Sequence, residues 1–254
     1  MSPLLIAGLV LAALFLLILI GYASQLMEKR SLEKARLRAD LKERMKRCSE
    51  LNASLPGQLM SPALKRLLYK IELNAGERMQ ALEKPQRQPS ERLQALHEIL
   101  RQGEEVPVEN PPAHLVTEEQ TKAAREMLES VHAQIIHATK ENTITRDEAR
   151  HWTKEIKKML VMLYIDYFNA MGAQALQQRQ FQKARLAFER GVQYIRKQPD
   201  AAQYSTQLRQ LQERIALADS QAQGQQPTEP EVSELSEGMK SFSDDDLWKK
   251  KNIY

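Results

Sequence analysis

Residues 3–22 read PLLIAGLVLAALFLLILIGY, an apolar run without a charge, and the first charged side chain of the chain is Glu28. An α-helix rises ~1.5 Å per residue, so roughly 20 residues cross the ~30 Å hydrocarbon core of a bilayer. Inside lipid, every backbone donor and acceptor has to be paired within the segment, which requires a helix. The run therefore predicts a single transmembrane anchor over residues 1–23.

The residues that follow the run predict its orientation. Lysine and arginine are concentrated in the first two dozen positions beyond it: Lys29, Arg30, Lys34, Arg36, Arg38, Lys42, Arg44, Lys46 and Arg47. The positive-inside rule places such a block in the cytoplasm. We therefore expect a single-pass protein of a bacterial inner (plasma) membrane, with its N-terminus outside and its C-terminal domain cytoplasmic. The cations either set this topology alone or also contact anionic lipid headgroups.

A cleaved secretory signal is the rival interpretation of the same run. Such a peptide needs a basic start, an apolar core of roughly 7–15 residues and a small-x-small cleavage site. Residues 21–23, Gly-Tyr-Ala, fit the cleavage site, but the start Met-Ser-Pro is uncharged and the apolar core is longer. The basic block would also oppose export, so the pattern favours the anchor.

Composition limits the fold class and the compartment. The chain has 254 residues and a formal charge of +4. Its excess of basic residues lies beside the predicted anchor, which does not indicate a nucleic-acid-binding surface. The single cysteine, Cys48, excludes an intrachain disulfide and fits a reducing compartment. Its thiol is either a small apolar filler or a site of palmitoylation or redox chemistry. Strong helix formers dominate, which predicts an all-α protein without β-sheet.

A basic juxtamembrane helix is predicted over residues 24–55. No proline or glycine interrupts residues 23–50, and Pro56-Gly57 ends the pattern. One apolar stripe follows this helix: Leu37, Leu41, Met45, Cys48 and Leu51. The stripe suits a parallel coiled coil between two anchors. Because a strict heptad is not sustained, packing against the chain's own domain is favoured.

Residues 61–103 are predicted to form a helical hairpin, followed by a linker. Ser61-Pro62 supplies an N-cap with proline at the first helical position, Ser90 caps a second helix, and Gly103 suits its C′ position. Residues 104–116 contain three prolines, which exclude regular structure. We interpret them as a linker between two cytosolic parts.

An α-helical domain is predicted over residues 117–219, where the helical periodicity is clearest. Residues 117–120 (TEEQ) and 145–148 (TRDE) are capping boxes, and Asn142 ends the first of the two helices. The short connection between them predicts an antiparallel pair. A last helix beginning near Asp200 is expected to act as a solvating cap.

The segment after this pair resembles one tetratricopeptide repeat. Residues 168–172 (FNAMG), residues 184–191 (ARLAFERG) and Pro199 carry the resemblance, which covers about residues 166–199. Gly172 and Ala184 are small where two helices of such a hairpin cross. The tyrosine expected three residues after the glycine is Ala175, and the closing proline falls about three residues late. Only this stretch of the chain matches.

The resemblance implies a role in binding. Tetratricopeptide proteins bind peptide segments on their concave face, so a protein or peptide partner is expected here. The polar residues on and after the first helix of the repeat are the candidate contacts: Asn169, Gln174 and Arg179.

The last part of the chain, residues 220–254, is rich in Gln, Glu, Ser and Pro and is predicted to be disordered. Its end, residues 242–254, places a serine and three aspartates before three lysines, the charge order of a short helix. Four large apolar groups there have no core of their own: Phe242, Leu247, Trp248 and Tyr254. They either fold onto a partner protein or dock back on the chain's own helical domain.

The sequence contains no pattern of catalytic, cofactor-binding or metal-binding residues. There is no glycine-rich phosphate loop, no paired cysteine and no HExxH spacing, and His132 and His137 are five residues apart rather than four. We expect no enzyme, no cofactor, no metal, no nucleic-acid partner and no small-molecule substrate.

The sequence as a whole predicts a membrane-tethered cytosolic adaptor that binds proteins through its helical domain and its C-terminal motif. The alternative is a small structural subunit of a bacterial envelope complex that packs through its membrane helix, where Gly8 and Ala12 form a small-xxx-small step. A regulator of a membrane-bound protease or chaperone is a third interpretation.

Overall fold

A computed structural model describes residues 3–83, 90–102, 106–113 and 116–223, with side chains from residue 21 onward apart from Ala23 and Glu83. All regular secondary structure in these ranges is helical, which confirms the all-α class. The chain forms two compact units, Met1–Ala170 and Met171–Tyr254. Their boundary lies inside a helix, whereas the prolines of residues 104–116 predict a division there.

The first helix, α1 (Pro3–Ser54), is a single element of 52 residues. The predicted anchor falls on its beginning, where the side chains of residues 3–20 lie outside the described residues. Over the part that the structure describes, no helix combines the length and the apolarity needed to cross a membrane.

The second half of α1 packs against α2 (Pro62–Glu83). Among the described side chains of α1, Leu41 is the first that is buried, and Cys48 and Leu51 continue the buried stripe. From Leu41 onward, the apolar stripe of α1 is therefore covered by the chain's own domain. The helix ends at Ser54, and a 3₁₀ turn over Gly57–Leu59 leads into α2.

The predicted hairpin consists of α2 and α3 (Glu91–Gln102). The Ser61 hydroxyl accepts the backbone N–H of Leu64 at 3.1 Å, so the serine caps α2. Leu73, Leu93 and Leu96 form the apolar contact between the two helices. Beside it the Glu72 carboxylate, with a side chain only 3% exposed, accepts two hydrogen bonds from Arg92 at 2.8 and 3.0 Å. Gly103 lies outside the described residues.

The next two helices are α4 (Glu118–Lys140) and α5 (Arg146–Gln177). The capping box of α4 is present, with Thr117 and Gln120 each accepting the other's backbone N–H. At the start of α5, the Thr145 hydroxyl accepts the Glu148 N–H at 3.1 Å, and the Glu148 carboxylate accepts a hydrogen bond from Lys70 of α2 at 3.2 Å.

The second unit contains the end of α5, followed by α6 (Phe181–Arg196), a 3₁₀ turn (Ala201–Tyr204) and α7 (Ser205–Gln223). α6 and α7 pack on each other, and the guanidinium of Arg214 lies 5.9 Å from the centre of the Phe188 ring. Arg185 of α6 also pairs with Asp219 of α7 at 3.3 Å. Residues 224–254, which include most of the predicted tail, lie outside the described residues.

Candidate interaction surfaces

The section of α1 before the packed domain is exposed. Every described side chain of residues 24–40, which we call the stalk, is solvent-accessible, and only at Leu41 does the helix become buried. The stalk carries basic residues together with the acidic Glu28, Glu33 and Asp40. Four large apolar side chains are exposed along it as well: Leu26, Met27, Leu32 and Leu37.

The Pro-rich residues 106–113, which we call the proline segment, lie on the corner between α1 and α2. The Gln58 side-chain amide pairs with both backbone groups of Ala113: its Oε1 accepts the N–H at 2.9 Å and its Nε2 donates to the carbonyl at 2.7 Å. The Gly57 N–H donates to the Pro111 carbonyl at 3.1 Å. Lys65 Nζ, in a residue that is only 8% exposed, donates to the Pro107 carbonyl at 2.8 Å. The segment is thus fixed to the first unit rather than free of it.

The proline segment also caps α1. The Asn110 side-chain amide donates to the carbonyls of Asn52 and Leu55, both at 2.9 Å. The Asn52 carbonyl belongs to the last turn of α1, where no intrahelical donor is available, and the Leu55 carbonyl directly follows the helix. At the same place a Cβ on Gly57 would collide with the Asn110 carbonyl oxygen. The corner therefore requires glycine at position 57.

Three helices of the first unit meet in an ion cluster. The Glu141 carboxylate, at the C-cap of α4, lies 2.6 Å from Arg44 of α1 and 2.6 Å from Arg78 of α2. Burial raises the pKa of Glu141, but the ion pairs with the two arginines outweigh this effect, so its pKa is lowered from the ordinary value of 4.5. The Arg44 side chain is only 6% exposed, so losing its partner would leave a buried charge unpaired.

Cys48 is inaccessible in the folded first unit. Its side chain is fully buried in α1. Burial raises the pKa of the thiol to about 12, Glu72 adds to the increase, and Arg44 opposes it. Since the thiolate is the reactive form, the structure supports the apolar-filler interpretation of Cys48 over palmitoylation or redox chemistry.

The junction between α5 and α6 is closely packed in the second unit. Gly172 faces the ring of the fully buried Phe188, and a Cβ at position 172 would lie only 2.5 Å from Cζ and 2.6 Å from Cδ1. Arg179 then takes a left-handed conformation with φ of 59°, the C′ position of a Schellman motif closed by the Gln180 N–H on the Ala175 carbonyl at 2.9 Å.

The predicted contact residues fall in different parts of the chain. Asn169 belongs to the first unit and is half-buried, and its Oδ1 finds no hydrogen-bond partner among the described residues. Gln174 and Arg179 belong to the second unit, and both are exposed. The other four predicted contacts lie outside the described residues: Phe242, Leu247, Trp248 and Tyr254.

The long-range contacts of the first unit could not be predicted from the sequence. Glu141 had no assigned role, and residues 106–113 were interpreted as part of a linker. Within the described ranges, no group of three or more His, Cys, Asp or Glu side chains is placed to hold a metal ion.

Comparisons with protein-family models, curated proteins and solved structures found no match for this chain.

Proposed function

We propose that this chain is a single-pass, membrane-tethered cytosolic adaptor that binds protein partners. The observation that carries the proposal is the organisation of α1, in which one helix leads from the apolar run of residues 3–22 into the packed first unit. Between these two sections lies the exposed stalk, residues 24–40. At ~1.5 Å per residue the stalk is roughly 25 Å long. A helix of this kind suits a spacer that holds a folded domain at a set distance from a bilayer.

The orientation follows from charge. The basic block beyond the apolar run favours a cytoplasmic position for everything after residue 23, at the inner membrane of a bacterium. A single cysteine, Cys48, fits that compartment as well.

Membrane tethering is tested by cutting the stalk. A protease site inserted in the middle of residues 24–40, in an exposed part of the helix, should release a helical fragment from washed membranes into the soluble fraction on cleavage. The same site placed between residues 223 and 224 is the matched control, and its cleavage should leave the first unit with the membranes. An uncut protein that is soluble without detergent would contradict the proposal. So would a reporter fused after Tyr254 that is active only in the periplasm.

The adaptor role rests on two candidate surfaces. The exposed Gln174 and Arg179 lie in the repeat-like hairpin, and the aromatic motif at residues 242–254 has the composition of a short segment that folds on a partner. Crosslinking in native membranes followed by mass spectrometry should identify a protein that is lost when residues 242–254 are deleted. Deletion of residues 224–236, which has the same length, is the control. An unchanged set of crosslinked proteins would refute a binding role for the terminal motif.

The alternative function, a structural subunit of an envelope complex, is favoured by the small-xxx-small step at Gly8 and Ala12. Replacing residues 3–22 with an unrelated membrane helix separates the two proposals. An adaptor retains its partners after the exchange because its contacts are cytosolic. A subunit that packs through its anchor loses them.

A further inference from the structure

The proline segment is held mainly through its backbone. Of its contacts with the α1–α2 corner, those at Pro107, Pro111 and Ala113 use main-chain groups of the segment. The side chains of these three residues are exposed. Recognition of main-chain groups gives affinity without demanding a particular side chain, as in many peptide-binding sites.

Two side chains of the segment differ from these exposed ones. Val106 is 9% exposed, and Asn110 donates from its amide to the carbonyls at the end of α1. The corner itself contributes a buried lysine, Lys65, a side-chain amide, Gln58, and a bare backbone at Gly57. The segment thus brings a buried valine and a polar anchor, with main-chain donors and acceptors between them.

We propose that the α1–α2 corner is a peptide-binding site, which the chain's own residues 106–113 occupy and which takes a proline-containing segment of a partner protein in exchange. The partner segment follows the pattern Val-Pro-x-x-Asn-Pro-Pro, since these positions supply the buried valine and the capping asparagine. Prolines restrict the free peptide and so lower the entropy lost on binding. The inference rests on the proposed adaptor function for its biological meaning, but its test uses only purified components.

The chain's own segment competes with a free peptide for the site and therefore weakens the peptide's apparent affinity. A tethered segment acts at an effective concentration on the order of millimolar, so a free peptide competes poorly with it in the wild-type protein. Weakening the internal segment without altering the corner should therefore expose the site. Asn110→Ala does this, because Asn110 belongs to the segment and the carbonyls that it caps belong to the corner.

The test is fluorescence anisotropy of a labelled VPVENPPA peptide with the full chain in detergent micelles. We expect the Asn110→Ala variant to bind this peptide at least about tenfold more tightly than the wild type, since the competing internal segment has lost its anchor. A peptide with alanine in place of the asparagine is the matched control and should bind at least about tenfold more weakly to the variant. Adding Gly57→Val to the variant should abolish binding, because the side chain would occupy the position of the peptide backbone.

Thermal unfolding supplies a second measurement that holds even if the variant is destabilised. A peptide that binds the folded state raises the unfolding temperature by mass action, and the alanine control peptide should not. Equal binding of wild type and Asn110→Ala, equal binding of both peptides, or no rise in the unfolding temperature of the variant would each overturn the proposal. These outcomes would leave the membrane-release experiment unaffected, so the two proposals fail separately.

Discussion

Replacing Gly172 with alanine tests the close packing of α5 on α6 in the second unit. The new Cβ would lie 2.5 Å from Cζ and 2.6 Å from Cδ1 of Phe188. Carbon atoms in ordinary contact are about 3.5–4.0 Å apart, so the ring or the helix has to move by about 1 Å. Phe188 is fully buried, and its ring has no open side to move into.

The expected change in stability is the cost of overpacking minus the gain in helix propensity. Overpacking a core costs about 1–3 kcal/mol, and the displacement required here belongs to the upper part of that range. Alanine gains about 1 kcal/mol over glycine in a helix. Gly172→Ala should therefore lower the free energy of unfolding by roughly 1–2 kcal/mol, measured by urea denaturation followed by circular dichroism at 222 nm.

A double-mutant cycle with Phe188→Leu isolates the contact. In the leucine background the ring is gone, so Gly172→Ala should stabilise the protein by up to about 1 kcal/mol through helix propensity alone. An equal loss of stability in both backgrounds would mean that Phe188 is not the obstacle. A gain in stability in the wild-type background would refute the close approach of the two helices.

Three further predictions concern an ion cluster, a thiol and a turn. The pKa of Glu141 is lower in the folded state than in the unfolded state. The Glu141 carboxylate therefore stabilises the fold at a pH above the ordinary carboxyl pKa, and this stabilisation is lost as the pH falls through the pKa of the folded state. Glu141→Gln should lower the free energy of unfolding by roughly 3 kcal/mol at pH 7, measured by urea denaturation. The difference from the wild type should become smaller in acid. A difference that does not change with pH would contradict this role of Glu141. Cys48, with its pKa raised to about 12, should resist a thiol reagent at pH 8 in the folded protein and react fully in denaturant, and rapid native labelling would show that it is accessible. Arg179→Gly should raise the free energy of unfolding by about 1 kcal/mol in urea denaturation, because glycine adopts positive φ without strain, whereas Gln178→Gly should give no such gain.

The sequence predicts well those features that neighbouring residues determine. The caps at Ser61 and Thr117 were predictable because a hydroxyl accepts an N–H only three residues away. The α1 stripe from Leu41 was predictable because burial on one helical face leaves a period of three to four residues.

Contacts between distant parts of the chain left no such signal. Asn110 caps a helix that ended more than fifty residues earlier, and an asparagine between ordinary loop residues gives no indication of that role. Glu141 looks like a solvated surface charge until folding brings Arg44 and Arg78 from two other helices to it. The division of the chain was predicted at the prolines, because prolines end helices, but these prolines contact the first unit through their carbonyls.

The unbroken course of α1 has a consequence for how the first unit faces its surroundings. Residues 24–40 contain neither glycine nor proline, so no residue there is expected to kink the helix. Such a continuous helix fixes both the distance and the rotation between its two ends. Each residue added to it lengthens the reach by ~1.5 Å and turns the attached unit by ~100° about the axis. Seven added residues return the first unit to within about 20° of its original rotation about the helix axis, whereas two added residues turn it to the opposite side. The distance of the first unit along the helix and its rotation about the helix axis therefore change together. A change in the length of α1 alters the direction in which every surface of the unit faces.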